Sequence, residues 1–279
     1  MENPEKQSGS GLLEDSLIEI AREAGALLRD LFSSPRDVDK KGRVDLVTDA
    51  DRAAEALIQK RLFEKFSGAS LLLEEGGVQK APGTGHEAFT FIVDPVDGTT
   101  NYAAGIPHFA VSIAAERDKS ELCAGVVYDP FRDEMFSASL GQGARLNGRK
   151  IEVSQTTALE DSVVATGFPY DRHQKRDNNH AEFEALNLLS RGARRNGAAT
   201  LDLAWVAAGR FDAYWERGLQ PWDAAAGALL VSEAGGTLSG YDRSAFVLRS
   251  GEVVATNCQL HEALCDALEK ARRKAGFAS

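Results

Sequence analysis

The stretch Asp94-Pro95-Val96-Asp97-Gly98-Thr99-Thr100-Asn101-Tyr102 sets two carboxylates three residues apart, then a glycine and two hydroxyls. It follows Phe89-Thr90-Phe91-Ile92-Val93, a short run rich in β-branched and aromatic residues that reads as a buried strand. A strand ending in a cluster of hard oxygen donors points to a divalent-metal site that handles phosphate. Asp-Pro-x-Asp-Gly also fits a simple turn, but a turn has no need of the two threonines that follow.

Three other pieces share this chemistry: Asp45-Leu46-Val47-Thr48-Asp49-Ala50-Asp51, Glu74-Glu75 and Trp222-Asp223-Ala224-Ala225. Each falls at an expected boundary between elements, where side chains can converge. Carboxylates without His or Cys suit magnesium or manganese and not zinc. Each piece alone has an ordinary alternative. Thr48-x-x-Asp51 fits a helix capping box, Asp223 a helix cap or dipole partner, and Glu74-Glu75 a solvated turn before two glycines. Competing motifs fail on spacing. An EF-hand loop needs acids at alternate positions, an aspartyl-phosphate enzyme of the haloacid dehalogenase type needs two aspartates separated by one residue where two separate them here, and no Walker lysine loop is present.

Working outward, Leu13, Leu17, Ile20, Ala24, Leu27 and Leu31 form the stripe of an amphipathic helix. The polar residues 1–10 ahead of it read as a disordered tail. Lys40, Lys41, Gly42 and Arg43 lie in a basic loop. A second helix opens at Thr48 with Ala53, Leu57, Leu62 and Phe63 on its apolar side. Leu71-Leu72-Leu73 is a strand, and residues 76–85 are a Gly- and Pro-rich loop. Residues 109–153 read as an antiparallel meander. Helices follow over 181–189, 201–208, 222–234 and 260–274, with a strand over 211–215. The Gly235-Gly236 pair ends the third of these helices. No linker or repeat divides the chain, so the pattern is two sheet regions sandwiched between helices in one unit of residues 11–279. Residues 11–150 form an α+β half and 151–279 an α/β half that completes the site.

The 279 residues are 43% hydrophobic and 27% charged, with a net charge of −10. That charge argues against binding nucleic acid or an anionic membrane, and no apolar run is long enough to span a bilayer. It also requires a phosphate site to carry local positive charge, which bound cations supply. Cys123, Cys258 and Cys265 are sparse and odd in number, unlike a disulfide framework or zinc site. The expected setting is a reducing cytoplasm.

In this order, Asp94 to Tyr102 and Trp222-Asp223-Ala224-Ala225-Ala226-Gly227, continuing to Glu233-Ala234-Gly235-Gly236, resemble the inositol monophosphatase family. Gly167-Phe168-Pro169-Tyr170-Asp171-Arg172 and Arg194-Arg195-Asn196-Gly197-Ala198-Ala199 are similar to its bacterial branch. The resemblance implies an α+β fold, a layered αβαβα sandwich shared with fructose-1,6-bisphosphatase. It also implies a magnesium-dependent, lithium-sensitive homodimer acting on a small phosphorylated polyol. By the same resemblance, Glu74, Asp94 and the Val96 carbonyl hold one ion. Asp94 bridges to a second ion held by Asp97 and Asp223, and a third, weaker ion sits near Glu74. Thr99 and Asp51 orient the attacking water. Gly98, Thr99, Thr100 and Lys40 meet the phosphate, although Lys40 is equally a solvated loop charge. Glu216, Gly197, Ala198 and Ala199 line the substrate pocket, and Asp202 is structural. Arg194 and Arg195 either steer the anion or lie at a subunit interface, the latter favoured. Inositol monophosphate is the leading substrate. Fructose 1,6-bisphosphate, 3'-phosphoadenosine 5'-phosphate and histidinol phosphate are alternatives. A non-catalytic metal-binding or regulatory relative would carry damaged motifs, and none is damaged here.

Overall fold

A computed structural model describes residues 4–32, 38–40, 46–80, 89–118 and 120–277, with the side chains of all of these except 4–11, 38–40 and 46–48. The first layer is helical. Helix α1 (Pro4–Phe32) lies against α2 (Asp49–Lys65). The heptad-like stripe buries Leu13, Leu17, Ile20 and Ala24 as expected, then Leu28 in place of Leu27. The helix opens at Pro4, inside the segment expected to be a tail. Proline is well suited to a first turn, where its missing N–H would have no partner. On α2 the buried line is Ala50, Ala54, Ile58 and Leu62, one position off the expected Ala53 and Leu57.

Between these helices, β1 (Val38–Lys40) pairs antiparallel with β2 (Leu46–Thr48), so part of the expected basic loop is a short ribbon. The second layer is a sheet formed by β3 (Ser70–Leu73), β4 (Gly77–Lys80), β5 (Thr90–Asp97), β6 (Ala110–Arg117), β7 (Glu121–Asp129), β8 (Glu134–Ser139), β9 (Ala144–Leu146) and β10 (Arg149–Lys150), in the order β10-β9-β8-β7-β6-β5-β3-β4. The expected meander is β6 to β10. Strand β4 corrects the expected loop over 76–85: Gly77–Lys80 folds back antiparallel on β3, and residues 81–88 lie outside the described residues. The short helix α3 (Thr99–Ala104) leaves the end of β5.

The fourth layer is a five-stranded sheet of β11 (Val163–Thr166), β12 (Gly192–Arg194), β13 (Ala213–Arg217), β14 (Thr237–Ser239) and β15 (Glu252–Thr256), in the order β12-β11-β13-β15-β14. Between the two sheets lie α5 (Ala199–Ala207) and α6 (Pro221–Glu233), which touch both. Helix α6 buries every residue from Ala224 to Val231. A helix apolar all round belongs between two layers, and its small residues permit close approach: a Cβ on Gly227 would stand 2.5 Å from Leu203 Cβ. Outside the second sheet, α4 (His180–Leu189) packs on α7 (His261–Ala275). The result is the layered αβαβα sandwich. Separate apolar clusters fill the outer first half, the centre and the outer second half. Among the described residues, no helix is long and apolar enough to cross a membrane.

Candidate active site

The site lies where β5 meets the central helices. Strand β5 does not stop at Val93 but runs on through Asp97. Its pairing with β6 is regular to Asp94↔Ser112 and resumes at Asp97↔Ala110. Pro95 lies in the break, having no N–H to give the ladder. The break turns the Asp94 carboxylate back on the chain, and its Oδ1 accepts the Val96 N–H at 3.0 Å. Gly98 then takes a left-handed conformation (φ 94°), and a Cβ there would meet the His108 and Gly197 carbonyl oxygens at 3.1 and 3.2 Å. Only glycine makes this turn without strain. Thr99 opens α3 immediately after it.

The Thr99 hydroxyl is 3.1 Å from Asp51 Oδ1 and 3.1 Å from the Val96 carbonyl oxygen. Asp51 comes from the first turn of α2 and is 1% exposed, so the expected Thr99–Asp51 pair is formed. The Thr48 side chain, its alternative capping partner, lies outside the described residues. Glu74 follows β3 and shares a hydrogen bond with Asp94. Burial, then the charges of Asp51, Glu75 and Asp97, push Glu74 up to about 8, against the Asp94 hydrogen bond. Burial and the charges of Glu74, Asp97 and Asp223 hold Asp94 well above the usual carboxylate range. So many acids in one place raise one another's affinity for protons and create a site that a divalent cation would relieve.

Asp97 has a second task. Its Oδ1 accepts the Ala199 N–H at 3.1 Å, and its Oδ2 accepts the Thr200 N–H at 2.8 Å and the Thr200 hydroxyl. It therefore satisfies N–H groups at the start of α5 that have no intrahelical partner, and it joins the first sheet to the central layer. Asp223 also has two roles. It is the third residue of α6 and forms a reciprocal capping box with Gln220, whose N–H reaches Asp223 Oδ2 at 2.7 Å, and it lines the pocket. The cap expected of Asp223 is present, and the same residue borders the pocket.

The donor set of Glu74, Asp94, Asp97, Asp223 and the Val96 carbonyl is all oxygen and fits a hard divalent cation. Among the described residues, no three acidic side chains close into a ready-made cage. Asp97 is engaged by α5, Asp223 by Gln220, and Glu74 with Asp94.

The pocket beside these acids is lined by Gly197, Ala198, Ala199 and Glu216. Glu216 is 8% exposed and accepts a hydrogen bond from the Tyr214 hydroxyl. Burial pushes it up to about 7, opposed by Tyr214 and by the charge of Arg195. The Ala199 N–H is spent on Asp97, so Ala199 offers the pocket only its side chain. Thr100 is exposed on α3, and Lys40 ends β1 with its side chain outside the described residues.

Several residues named in the sequence were not assigned to the pocket there, or were left between two readings. Asp202 also lines the pocket; its Oδ1 accepts from Asn196 Nδ2 at 2.7 Å, and burial raises its pKa well above the usual range. Both arginines are exposed, but Arg195 lines the pocket while Arg194 ends β12 away from its lining, which separates two residues treated alike in the sequence. Tyr170, 61% exposed, stands at the pocket wall with Phe168 and Pro169. Their signal was present in the Gly-Phe-Pro-Tyr motif, but nothing in its spacing tied it to the acids.

The sequence profile described as the inositol monophosphatase family matches residues 13–273. A protein of Synechocystis sp. named inositol-1-monophosphatase is 45% identical over 256 residues, covering 90% of this chain and 88% of its own length. A Pseudomonas aeruginosa protein named Nus factor SuhB is 44% identical over 260 residues, covering 90% and 94%. The solved structure of an inositol monophosphatase from Anabaena (Nostoc) sp. superposes with a TM-score of 0.83 at 41% identity, covering 93% of this chain and 96% of that one. The match runs through both sheets and every element that carries the acids, so the chain belongs to the inositol monophosphatase family and is a phosphoric monoester hydrolase.

Proposed function

We propose that this chain is a magnesium-dependent phosphatase that hydrolyses inositol monophosphate to inositol and phosphate. The observation that carries it is the Thr99–Asp51 pair, 3.1 Å apart, beside the buried acids Asp94 and Asp97. Glu74, Asp94, Asp97, Asp223 and the Val96 carbonyl would hold two or three magnesium ions, with manganese as a substitute. Bound ions of this kind lower the pKa of water and neutralise phosphate charge.

The protein groups do the aiming. The Thr99 hydroxyl has one proton to give. With that proton directed to Asp51, the Thr99 oxygen accepts from the attacking water, and the Val96 carbonyl is released to act as a ligand. Asp51 is buried and held in the first turn of α2, so the relay has little freedom to reorient. The N–H groups of Gly98, Thr99 and Thr100, at a helix start where N–H groups lack intrahelical partners, would meet the phosphate, and Lys40 is the cation of this chain assigned to it. Glu216 accepts hydrogen bonds from the hydroxyls of the leaving alcohol, between residues 197–199 and 167–170. No covalent phosphoenzyme is required. With this reading we group lithium sensitivity, a homodimer and a cytoplasmic setting. Both halves contribute to one site, which supports treating residues 11–279 as one functional unit.

The test is phosphate release from inositol 1-phosphate, fructose 1,6-bisphosphate, 3'-phosphoadenosine 5'-phosphate and histidinol phosphate, with magnesium, with chelator and with Asp94→Asn. Inositol 1-phosphate should be the best substrate, and activity should vanish with chelator and in the variant. Faster turnover of another member of the panel overturns the substrate, and undiminished activity in Asp94→Asn overturns the site.

A further inference from the structure

One wall of the pocket is the loop of residues 167–170, and it meshes tightly with the end of β13. A Cβ on Gly167 would lie 2.1 Å from Glu216 Oε1, and a Cβ on Gly218 would lie 2.7 Å from Pro169 Cβ. Successive residues of a strand face opposite sides. Glu216 therefore faces the pocket, while Arg217 faces the outer layer. There Arg217 Nη1 donates to Asp177 Oδ2 at 2.8 Å, and its Nε lies 3.3 Å from Glu252 Oε2.

Asp177 sits on the return of the same wall loop, just before α4. Arg272 of α7 reaches it twice, Nη1 to Oδ1 at 2.8 Å and Nη2 to Oδ2 at 2.9 Å, and also gives Nη1 to Glu182 Oε1 at 2.8 Å. Arg272 and Glu182 are buried, and both arginines stack over Tyr241. One carboxylate thus receives two guanidiniums, from the strand that carries Glu216 and from the C-terminal helix. Charge-assisted forks of this kind fix geometry as well as add energy.

We propose, on the reading of Glu216 as an acceptor for the alcohol, that Asp177 is a positioning residue for the leaving group. It clamps the wall loop to β13 through Arg217 and Arg272, and so sets residues 167–170 and Glu216 at the spacing a polyol needs. Asp177→Asn is the informative change. It leaves Arg217 and Arg272 facing Glu182 and Glu252, a balanced set, whereas loss of Arg272 would strand the buried Glu182.

The experiment uses the full chain with Asp177→Asn, Asp177→Glu and Arg217→Gln. Each is assayed on the polyol ester, expected to be inositol monophosphate, and on methyl phosphate, whose alcohol has no further hydroxyl, with urea unfolding alongside. The expected result for Asp177→Asn and Arg217→Gln is a KM for the polyol ester raised about tenfold or more, with kcat/KM for methyl phosphate within about twofold. Asp177→Glu restores part of the loss. Equal losses on both esters, or no change on either, overturn the clamp; the latter would leave Asn179, bonded to Thr166, the Gly167 carbonyl and Trp215, as the wall's sufficient anchor. The polyol ester is whichever of the panel the unsubstituted protein cleaves fastest, so failure of inositol monophosphate would count against the preceding substrate and not against the clamp.

Discussion

Gly167→Ala separates the pocket acid from the rest of the site. The new Cβ would fall 2.1 and 2.2 Å from the two carboxylate oxygens of Glu216 and 2.3 Å from Cδ. Since carbon and oxygen in contact stand more than 3 Å apart, the carboxylate must retreat by about 1 Å. It is the end of a flexible side chain, so the backbone need not move and the stability cost stays near the low end for overpacking, about 1 kcal/mol. The functional cost is larger. A hydrogen bond to a charged acceptor contributes about 1.5–3 kcal/mol, a loss of about 10- to 150-fold in kcat/KM once it is broken. The assay compares kcat/KM for inositol monophosphate and methyl phosphate, with a urea unfolding curve for each protein. The polyol ester should lose activity in that range while methyl phosphate holds within about twofold. If Gly167→Ala folds and cleaves both esters as the unsubstituted protein does, Glu216 does not contact the alcohol and the reasoning fails.

Two stability predictions follow from groups outside the pocket. Glu116 is 1% exposed and forked by Arg249, Nη1 to Oε1 at 2.6 Å and Nη2 to Oε2 at 2.7 Å. Arg249→Ala should destabilise the fold by about 3 kcal/mol, the low end for stranding a buried charge, and Glu116→Gln added to it should recover part of that; a urea-derived loss near zero would show that water already serves Glu116. His261 is buried with its ring nitrogens at 3.0 Å from Thr256 Oγ1 and 3.1 Å from Ser239 Oγ, and burial lowers its pKa from 6.5. The unfolded chain then binds the proton more readily than the folded one. Stability is therefore fully present above the ordinary imidazole value and falls as pH drops through 6.5 toward the folded pKa. Urea midpoints measured from about pH 7.5 to about pH 5 should fall less steeply in His261→Asn, and an identical slope would remove His261 from the account.

Periodicity made the larger elements legible. The stripe on α1, the meander of β6 to β10 and the all-apolar run of α6 each state which faces must be covered, and layering follows from covering them. Boundaries were less legible where charge interrupts a strand. Asp94 and Asp97 look like an end to β5, yet the strand passes through them because Pro95 removes one rung and the ladder resumes beyond it. The ribbon of β1 and β2 and the edge strand β4 were hidden for another reason. They are three or four residues long and mix apolar with polar side chains, and a strand at an edge has no two-sided apolar face to advertise it.

The candidate site divides the same way. The chain itself determined which chemistry is possible, because three of the oxygen donors, Asp94, the Val96 carbonyl and Asp97, lie with Gly98 and Thr99 within one short stretch, and hard ligands in that order have few other uses. Tertiary structure decided what each acid is engaged with. Asp97 is held by the start of α5, more than a hundred residues away, and Asp223 by its own helix cap. It also separated Arg195 from Arg194 and brought Asp202 and Tyr170 to the pocket. Such choices depend on which helix end or strand face arrives from the other half of the chain, and local spacing carries no record of that arrival.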